Sequence, residues 1–332
     1  METSNYGSTN HPVSRLGLGL AALGRPGYIN LGHAEDLPGT YQVDAMRDHA
    51  HTVLDAAWSA GVRYFDTARS YGRGEEFLAS WLSRFRDLSG LTVGSKWGYT
   101  YTADWQSSLP TGTKHEVKDH NREVLDRQID ESRSLLGKHL NIYHIHSATH
   151  DSGVLKNDDV LSRLAELRDE GLIIGFSTSG PQQSDTIREG LSIERAGKPL
   201  FQSVQATWNV LEQSAGTALA EAHRSGRGVI VKEALANGRL TARNDDRRFI
   251  ERNERLYQVA KSNDVTIDAI SIACAMRQPW VDVVLSGAAT VEHLTANLRA
   301  CELIDDNGLD VLLELAETPE DYWQTRSQLA WN

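Results

Sequence analysis

The sequence predicts an α/β protein, a single (β/α)8 TIM barrel with long loops at the C-terminal face of its strands and a C-terminal extension. Three observations lead there. Short β-rich runs recur eight times, amphipathic helical patterns lie between them, and no Gly/Ser/Pro-rich linker marks a domain boundary. Residues 1–332 therefore read as one domain, with 305–332 as a segment packing near the barrel mouth.

In chain order the expected strands are Gly17 to Leu20, Val62 to Asp66, Leu91 to Lys96, Asn141 to His146, Leu172 to Ser177, Phe201 to Ala206, Gly228 to Lys232 and Val281 to Ser286. The helical patterns include "AHTVLDAAWSAG" before the second strand, "VLDRQIDESRSLLG" before the fourth and "VLSRLAELRDEG" before the fifth. Each of these ends in the glycine that a helix C-cap prefers. The competing architecture is a doubly wound dinucleotide-binding sheet, which calls for G-x-G-x-x-G at its first strand-to-helix turn. Here "GLGLAALG" has the wrong spacing and runs into a long loop, "RPGYINLGHAEDLPGTYQ". That loop and a second one, Trp97 to Glu116, follow the first and third strands, so in a barrel both overhang the active-site face.

Composition narrows the class of partner. A formal net charge of -11 with no block of like charges argues against nucleic acid. Cys274 and Cys301 are too few for a disulfide framework and lack metal-site spacing, which fits a reducing cytosol. The apolar run Leu16 to Gly24 is too short for a signal or membrane-spanning segment. The expectation is a cytoplasmic protein with no nucleic-acid, membrane or metal partner, which leaves a small molecule.

Polar residues at barrel strand ends are the first candidates for chemistry. Asp66 ends the second strand, Tyr71 follows in its loop, Lys96 ends the third and His146 the fourth. Singly, each has an ordinary structural explanation. Together they make a device: a phenol with an unperturbed pKa of about 10 needs a cation beside it to exchange protons near neutrality. Lys96 can be that cation, Asp66 can hold Lys96, and His146 can orient a substrate oxygen. The set polarises a carbonyl and delivers a proton but has no electron source, so a cofactor must supply the hydride.

The segments "FDTARSYG", "VGSKWG", "NIYHIH", "IIGFSTSG", "VQATWN", "VIVKEALANGRL" and "VVLSGAATVEHLTANLRA" resemble the aldo-keto reductase family in order and spacing, from Leu16 to roughly Ala300. The resemblance implies that Asp66, Tyr71, Lys96 and His146 are the catalytic tetrad, with Tyr71 as general acid in reduction or base in oxidation. It implies a nicotinamide cofactor across the barrel mouth, NADP(H) as the family's usual choice and NAD(H) as the alternative. The cofactor-binding positions it implies are Gly19, Leu20, Ser177, Thr178, Gln205, Lys232, Leu235, Asn237, Gly238, Arg239, Gly287, His293 and Asn297. Of these, Ser177 and Gln205 match positions that hold the nicotinamide carboxamide, and His293 and Asn297 match positions at the adenosine half.

Two features depart from the family pattern. Lys232 stands where an aromatic residue usually stacks on the nicotinamide ring, and either reaches a substrate oxygen or pairs with an acid such as Glu233. No Lys or Arg occurs from Gln278 to Leu298, where the family often meets the 2′-phosphate; Arg239, Arg243, Arg247 and Arg248 are the alternative cations, or a solvated face. For the substrate, Trp97, Trp208, Arg69 and His144 are the candidates, with Tyr99, Trp105, Trp323, Trp331 and Arg73 near the mouth. Aromatic and hydrogen-bonding groups together suit a sugar or other polyhydroxylated compound, though the tryptophans equally suit packing of the C-terminal segment. The rival readings are a metal-dependent barrel hydrolase using His144 and His146, with His150 and Asp151 nearby, and a cofactor-sensing regulatory subunit.

Overall fold

A computed structural model describes all residues except 38–40, 108, 111, 304–306 and 330–332; Trp331 falls outside the described residues. Eight parallel strands close into a barrel in sequence order: β1 (Leu16–Gly19), β2 (Tyr64–Asp66), β3 (Thr92–Trp97), β4 (Leu140–Ala148), β5 (Ile173–Thr178), β6 (Ser203–Thr207), β7 (Gly228–Lys232) and β8 (Val283–Ser286). The expected strands are all present, shifted by a residue or two at their ends. The eighth begins at Val283 rather than Val281 because the Asp282 carboxylate itself accepts a bond from the Val229 amide, at 2.7 Å.

Period-two alternation divides each strand between two cores. Outward residues such as Leu16, Leu18, Phe65, Val93, Ile145, Ile174, Phe176, Val204, Val231 and Val284 pack under the helices. Inward residues Tyr64, Ile142, Ile173, Ile230 and Val283 fill the lower barrel with Tyr6 and Val13. The helices that cover the outer layer include α1 (Val43–Ser59), α2 (Gly74–Leu82), α3 (Arg122–Leu136), α4 (Asp158–Asp169), α5 (Gln183–Leu191), α6 (Gly216–Arg224), α7 (Ile267–Met276) and α8 (Val291–Leu298). None of the described helices is long and apolar enough to cross a membrane.

An N-terminal hairpin, Thr3–Asn5 paired with Pro12–Ser14, closes the bottom of the barrel. Tyr6 in its turn stacks on Tyr64, with centroids 6.5 Å apart, and its hydroxyl meets Ser203 Oγ. Glycine is required twice by this packing: a Cβ at Gly228 would enter the Tyr6 ring, and one at Gly94 would strike the Tyr64 hydroxyl. At the opposite face, the loop after β1 and the hairpin Tyr99–Tyr101/Glu116–Lys118 after β3 surround the mouth. The last helix, α9 (Pro319–Ser327), is fastened there by Arg239 to Glu317 at 3.0 Å and by Asn209 to the Tyr322 hydroxyl at 3.0 Å.

Removing the tyrosine plug tests this account. Tyr6→Ala should lower the unfolding free energy by about 3–5 kcal/mol, the usual cost of deleting a fully buried aromatic ring. Urea denaturation measures it, and a loss under about 1 kcal/mol would show that the hairpin does not support the barrel.

Candidate active site

The C-terminal ends of the strands open into a cavity of about 560 Å³, the size of a small-molecule or cofactor site. Asp66, Tyr71 and His146 line it, and Lys96 lies fully buried behind Asp66. The inward alternation of β2, β3 and β4 sets Asp66, Lys96 and His146 on the barrel interior. Lys96 Nζ pairs with Asp66 Oδ1 and donates to the Thr67 carbonyl at 3.0 Å. The other carboxylate oxygen, Oδ2, accepts from the Tyr64 hydroxyl at 3.1 Å and from Gln205 Nε2 at 2.9 Å. Each buried charge therefore has a partner and further hydrogen bonds, as burial demands.

Tyr71 sits in front of this pair. Lys96 Nζ is 5.0 Å from its ring centroid, the Arg25 guanidinium is 5.3 Å from it, and the His146 ring meets it edge-on at 5.6 Å. Burial, followed by the Asp66 carboxylate, pushes the phenol above its ordinary pKa against the opposing pull of Arg25. This corrects the expectation that Lys96 lowers it: the lysine charge is closed onto Asp66, and the phenol is a proton-bearing donor. Burial and then Lys96 push His146 well below its usual range, so its imidazole is neutral. Ser70 Oγ lies 3.4 Å from His146 Nδ1, and in the tautomer that accepts from Ser70 the Nε2 proton faces outward for an incoming oxygen.

Four residues that the sequence did not single out complete this end of the cavity. Arg25 reaches the Ser70 carbonyl at 2.9 Å and Glu116 at 2.8 Å, and its guanidinium also lies over Tyr28 at 5.4 Å. Arg326, from α9, binds Glu233 at 2.6 Å. Lys232 donates to Thr207 Oγ1 at 2.8 Å and lies 3.7 Å from Glu233, so of its two expected roles it takes the internal acid. Burial pushes Lys232 down to about 8, against Glu233. Although burial opposes its ionisation, Arg326 and then Lys232 hold the Glu233 carboxyl at about 2. The one local signal for this cluster was the buried lysine's need for an acid.

The substrate candidates lie elsewhere. Trp97 alternates with inward Lys96, so it points out of the barrel into the core beside His120. Trp208 packs on Trp280, with centroids 5.8 Å apart. Arg69 pairs with Glu75 and with Glu131 at 2.8 Å, while Ser95 and Ser132 hydroxyls complete Glu75. His144 is buried inside the barrel, with Nε2 2.6 Å from Ser203 Oγ. Trp105 donates to the Tyr41 carbonyl and Arg73 pairs with Glu76; among the described residues, Tyr99 alone of the mouth aromatics named above lines the cavity. His150 is taken by Glu189 at 3.0 Å, and among the described residues no three His, Cys, Asp or Glu side chains gather as a metal site.

For a nicotinamide dinucleotide, Gly19, Gln205, Lys232, Leu235, Asn237, Gly238, Gly287, His293 and Asn297 line the cavity. Leu20, Ser177, Thr178 and Arg239 do not: Ser177 Oγ accepts the Ser147 amide at 2.8 Å, leaving Ser147 and Ser179 at the surface, and Arg239 is held by Glu317. The cradle fits the group chemically. The side-chain oxygens of Asn237 and Asn297 are buried without a donor, although each amide nitrogen is bonded, to the Ile29 carbonyl and to Ser286 Oγ. Above Gly287 a Cβ would meet nothing within 4 Å, beside the N-terminus of α8.

A model of the Aldo/keto reductase family matches residues 15–309. D-threo-aldose 1-dehydrogenase of a Pseudomonas species is 26% identical over 93% of this chain and 97% of its own length. Pyridoxal 4-dehydrogenase of Microbacterium luteolum is 26% identical over 98% and 96%. The NADP(+) aryl-alcohol dehydrogenase of Phanerodontia chrysosporium is 22% identical over 77% and 73%. Among solved structures, an aldo-keto reductase from Bacillus halodurans superposes with a TM-score of 0.72 at 19% identity, covering 96% of this chain and 97% of that one.

The Glu233–Arg326 pair has a calculable pH signature. Because the folded carboxyl titrates at about 2, below its unfolded value, its contribution is complete above the unfolded pKa and disappears as pH falls through 2. Glu233→Gln should cost roughly 1–3 kcal/mol at pH 7, less than a fully buried pair because Arg326 keeps some solvent contact. The gap from wild type should close in acid; a gap independent of pH in urea melts would refute the ion-pair account.

Proposed function

The chain belongs to the aldo-keto reductase family, oxidoreductases acting on CH–OH groups, and from that premise we propose that it transfers hydride between a nicotinamide dinucleotide and a small carbonyl or alcohol at Tyr71 and His146. One observation carries the reading: a proton-bearing phenol and a neutral imidazole face the same cavity with a satisfied Lys96–Asp66 pair behind them. When bound, the dinucleotide supplies or accepts the hydride. His146 holds the substrate oxygen through Nε2–H, which orients the carbon and stabilises negative charge growing on that oxygen. In reduction Tyr71 gives its proton to the oxygen; in oxidation it must take one, and the Arg25 charge beside its ring lowers the cost of the phenolate.

For the substrate we read a sugar-like or otherwise polyhydroxylated compound. Arg25, Tyr28, Glu116, Glu233 and Arg326 put donors and acceptors around the mouth, a pattern suited to several hydroxyl groups. Two relatives matched along nearly their whole length are named for dehydrogenating an aldose and pyridoxal, which agrees with a polar substrate.

Tyr71→Phe should reduce turnover by about 100- to 10,000-fold, the range for losing a positioned proton donor, while cofactor affinity stays nearly unchanged. Activity within tenfold of wild type on an aldose or aromatic aldehyde would sink the assignment. Lys232 gives a second test. Its charge is lost as pH rises through about 8, so repulsion of the cationic oxidised nicotinamide falls and that form should bind more tightly at pH 9 than at pH 7. Lys232→Met should flatten this dependence in fluorescence titrations; an identical slope in wild type and variant would exclude Lys232 as its source.

A further inference from the structure

We infer that this chain selects NAD(H) over NADP(H), and that Asp268 and Asp36 set the choice. The inference rests on the hydride-transfer reading above and sharpens it by naming the cofactor.

The reacting ring must lie beside Tyr71 and His146, so the rest of a dinucleotide extends toward the wall formed by Arg243, Thr266, Asp268, Glu292 and His293. A 2′-phosphate carries only acceptor oxygens and close to two negative charges, and a wall that binds it must offer cations or spare donors. This wall offers the reverse. Asp268 and Glu292 are both carboxylates, and Asp268 Oδ1 is buried without a hydrogen-bond donor. An unmet acceptor oxygen calls for an N–H or O–H group, which a ribose 2′-hydroxyl supplies and a phosphate at the same carbon does not.

The cations of the wall are already committed. Both terminal nitrogens of Arg243 bind the Asp36 carboxylate, Nη1 at 2.8 Å to Oδ2 and Nη2 to Oδ1, and Nη1 also reaches the Leu31 carbonyl at 3.4 Å and that of Gly32. His293 Nε2 lies 3.6 Å from the same Asp36 carboxylate. Asp36 is itself buried, so recruiting Arg243 to a phosphate would strand its charge. Of the other arginines of this loop, Arg239 is held by Glu317, and Arg247 and Arg248 are exposed and do not line the cavity. Asp268 and Glu292 in the wall, with Asp36 behind Arg243, outnumber its basic side chains, Arg243 and His293, so the wall repels an added dianion.

The test is calorimetric titration of the full chain with NADH and with NADPH at one ionic strength, with 5′-AMP and 2′,5′-ADP as competing fragments. NADH should bind about tenfold or more tightly, since like charges brought together cost that much discrimination or more, and 5′-AMP should outcompete 2′,5′-ADP. Asp268→Asn, which keeps an acceptor but removes the charge, should narrow the ratio about tenfold. Asp36→Asn should narrow it by releasing Arg243; because it also breaks a buried pair, Asp268→Asn carries the test if that variant does not fold. Equal or tighter binding of NADPH by wild type would overturn the inference, and an unchanged ratio in Asp268→Asn would overturn its assignment to that residue. Binding of neither dinucleotide would instead refute the hydride-transfer reading along with this one.

Discussion

The ion pair between Lys96 and Asp66 is the constraint that the active-site end of the barrel is arranged around. Two opposite charges removed from water are tolerated only when each is paired and its remaining hydrogen-bonding capacity is filled. Filling it draws on three strands and a loop: Tyr64 lies on β2, the Thr67 carbonyl just past its end, Gln205 comes from β6, and Lys96 itself from β3. The Tyr64 hydroxyl can reach Asp66 only because position 94 has no side chain, and the same ring provides the surface on which Tyr6 stacks. The demand for partners at the top of the barrel is thus felt at its floor.

A second regularity concerns where positive charge is held. Arg25 is bound to Glu116, Arg326 and Lys232 to Glu233, and Arg243 to Asp36. Each pair except Lys232–Glu233 joins segments far apart in the chain, and Arg25, Glu116, Lys232, Glu233, Arg243 and Arg326 line the cavity. Loops that follow barrel strands are ordinarily the mobile part of such a fold. Here they are cross-braced by charge-assisted hydrogen bonds, which holds the polar groups around Tyr71 in place before a substrate arrives and reduces the ordering that binding must still accomplish. The left-handed backbone at Glu233, with φ of 54°, fits this picture: an uncommon conformation is maintained where Arg326, Lys232 and Thr207 all engage its side chain.

The fold was readable because its signals are local. Strand runs alternating with amphipathic helices, glycine at helix ends and the absence of a dinucleotide fingerprint are properties of short windows, and they lead to one closed parallel sheet. Asp66, Lys96 and His146 were readable for a related reason: a polar residue at the end of an apolar strand is conspicuous in sequence, and strand ends converge in a barrel. The period-two rule also places His144 on the inner face, yet depth along the barrel axis separates it from His146, leaving one in a buried bond to Ser203 and the other at the cavity.

What stayed out of reach was the identity of partners. Trp97 and Arg69 carry the same side chains whether they meet a substrate or a protein group, and the difference lies in Glu75, Glu131 and the helices that cover β3. Whether Tyr71 is made more or less acidic depends on how deeply the ring is buried and on how the Asp66 and Arg25 charges stand around it, which only the packing of separate segments decides. Arg243 reads as a free cation until Asp36, some two hundred residues earlier, is folded against it. Chain order specified the elements and the residue types at their ends; close packing and electrostatics between distant segments, which fall off too steeply with distance to be read along a chain, assigned each of those residues its work.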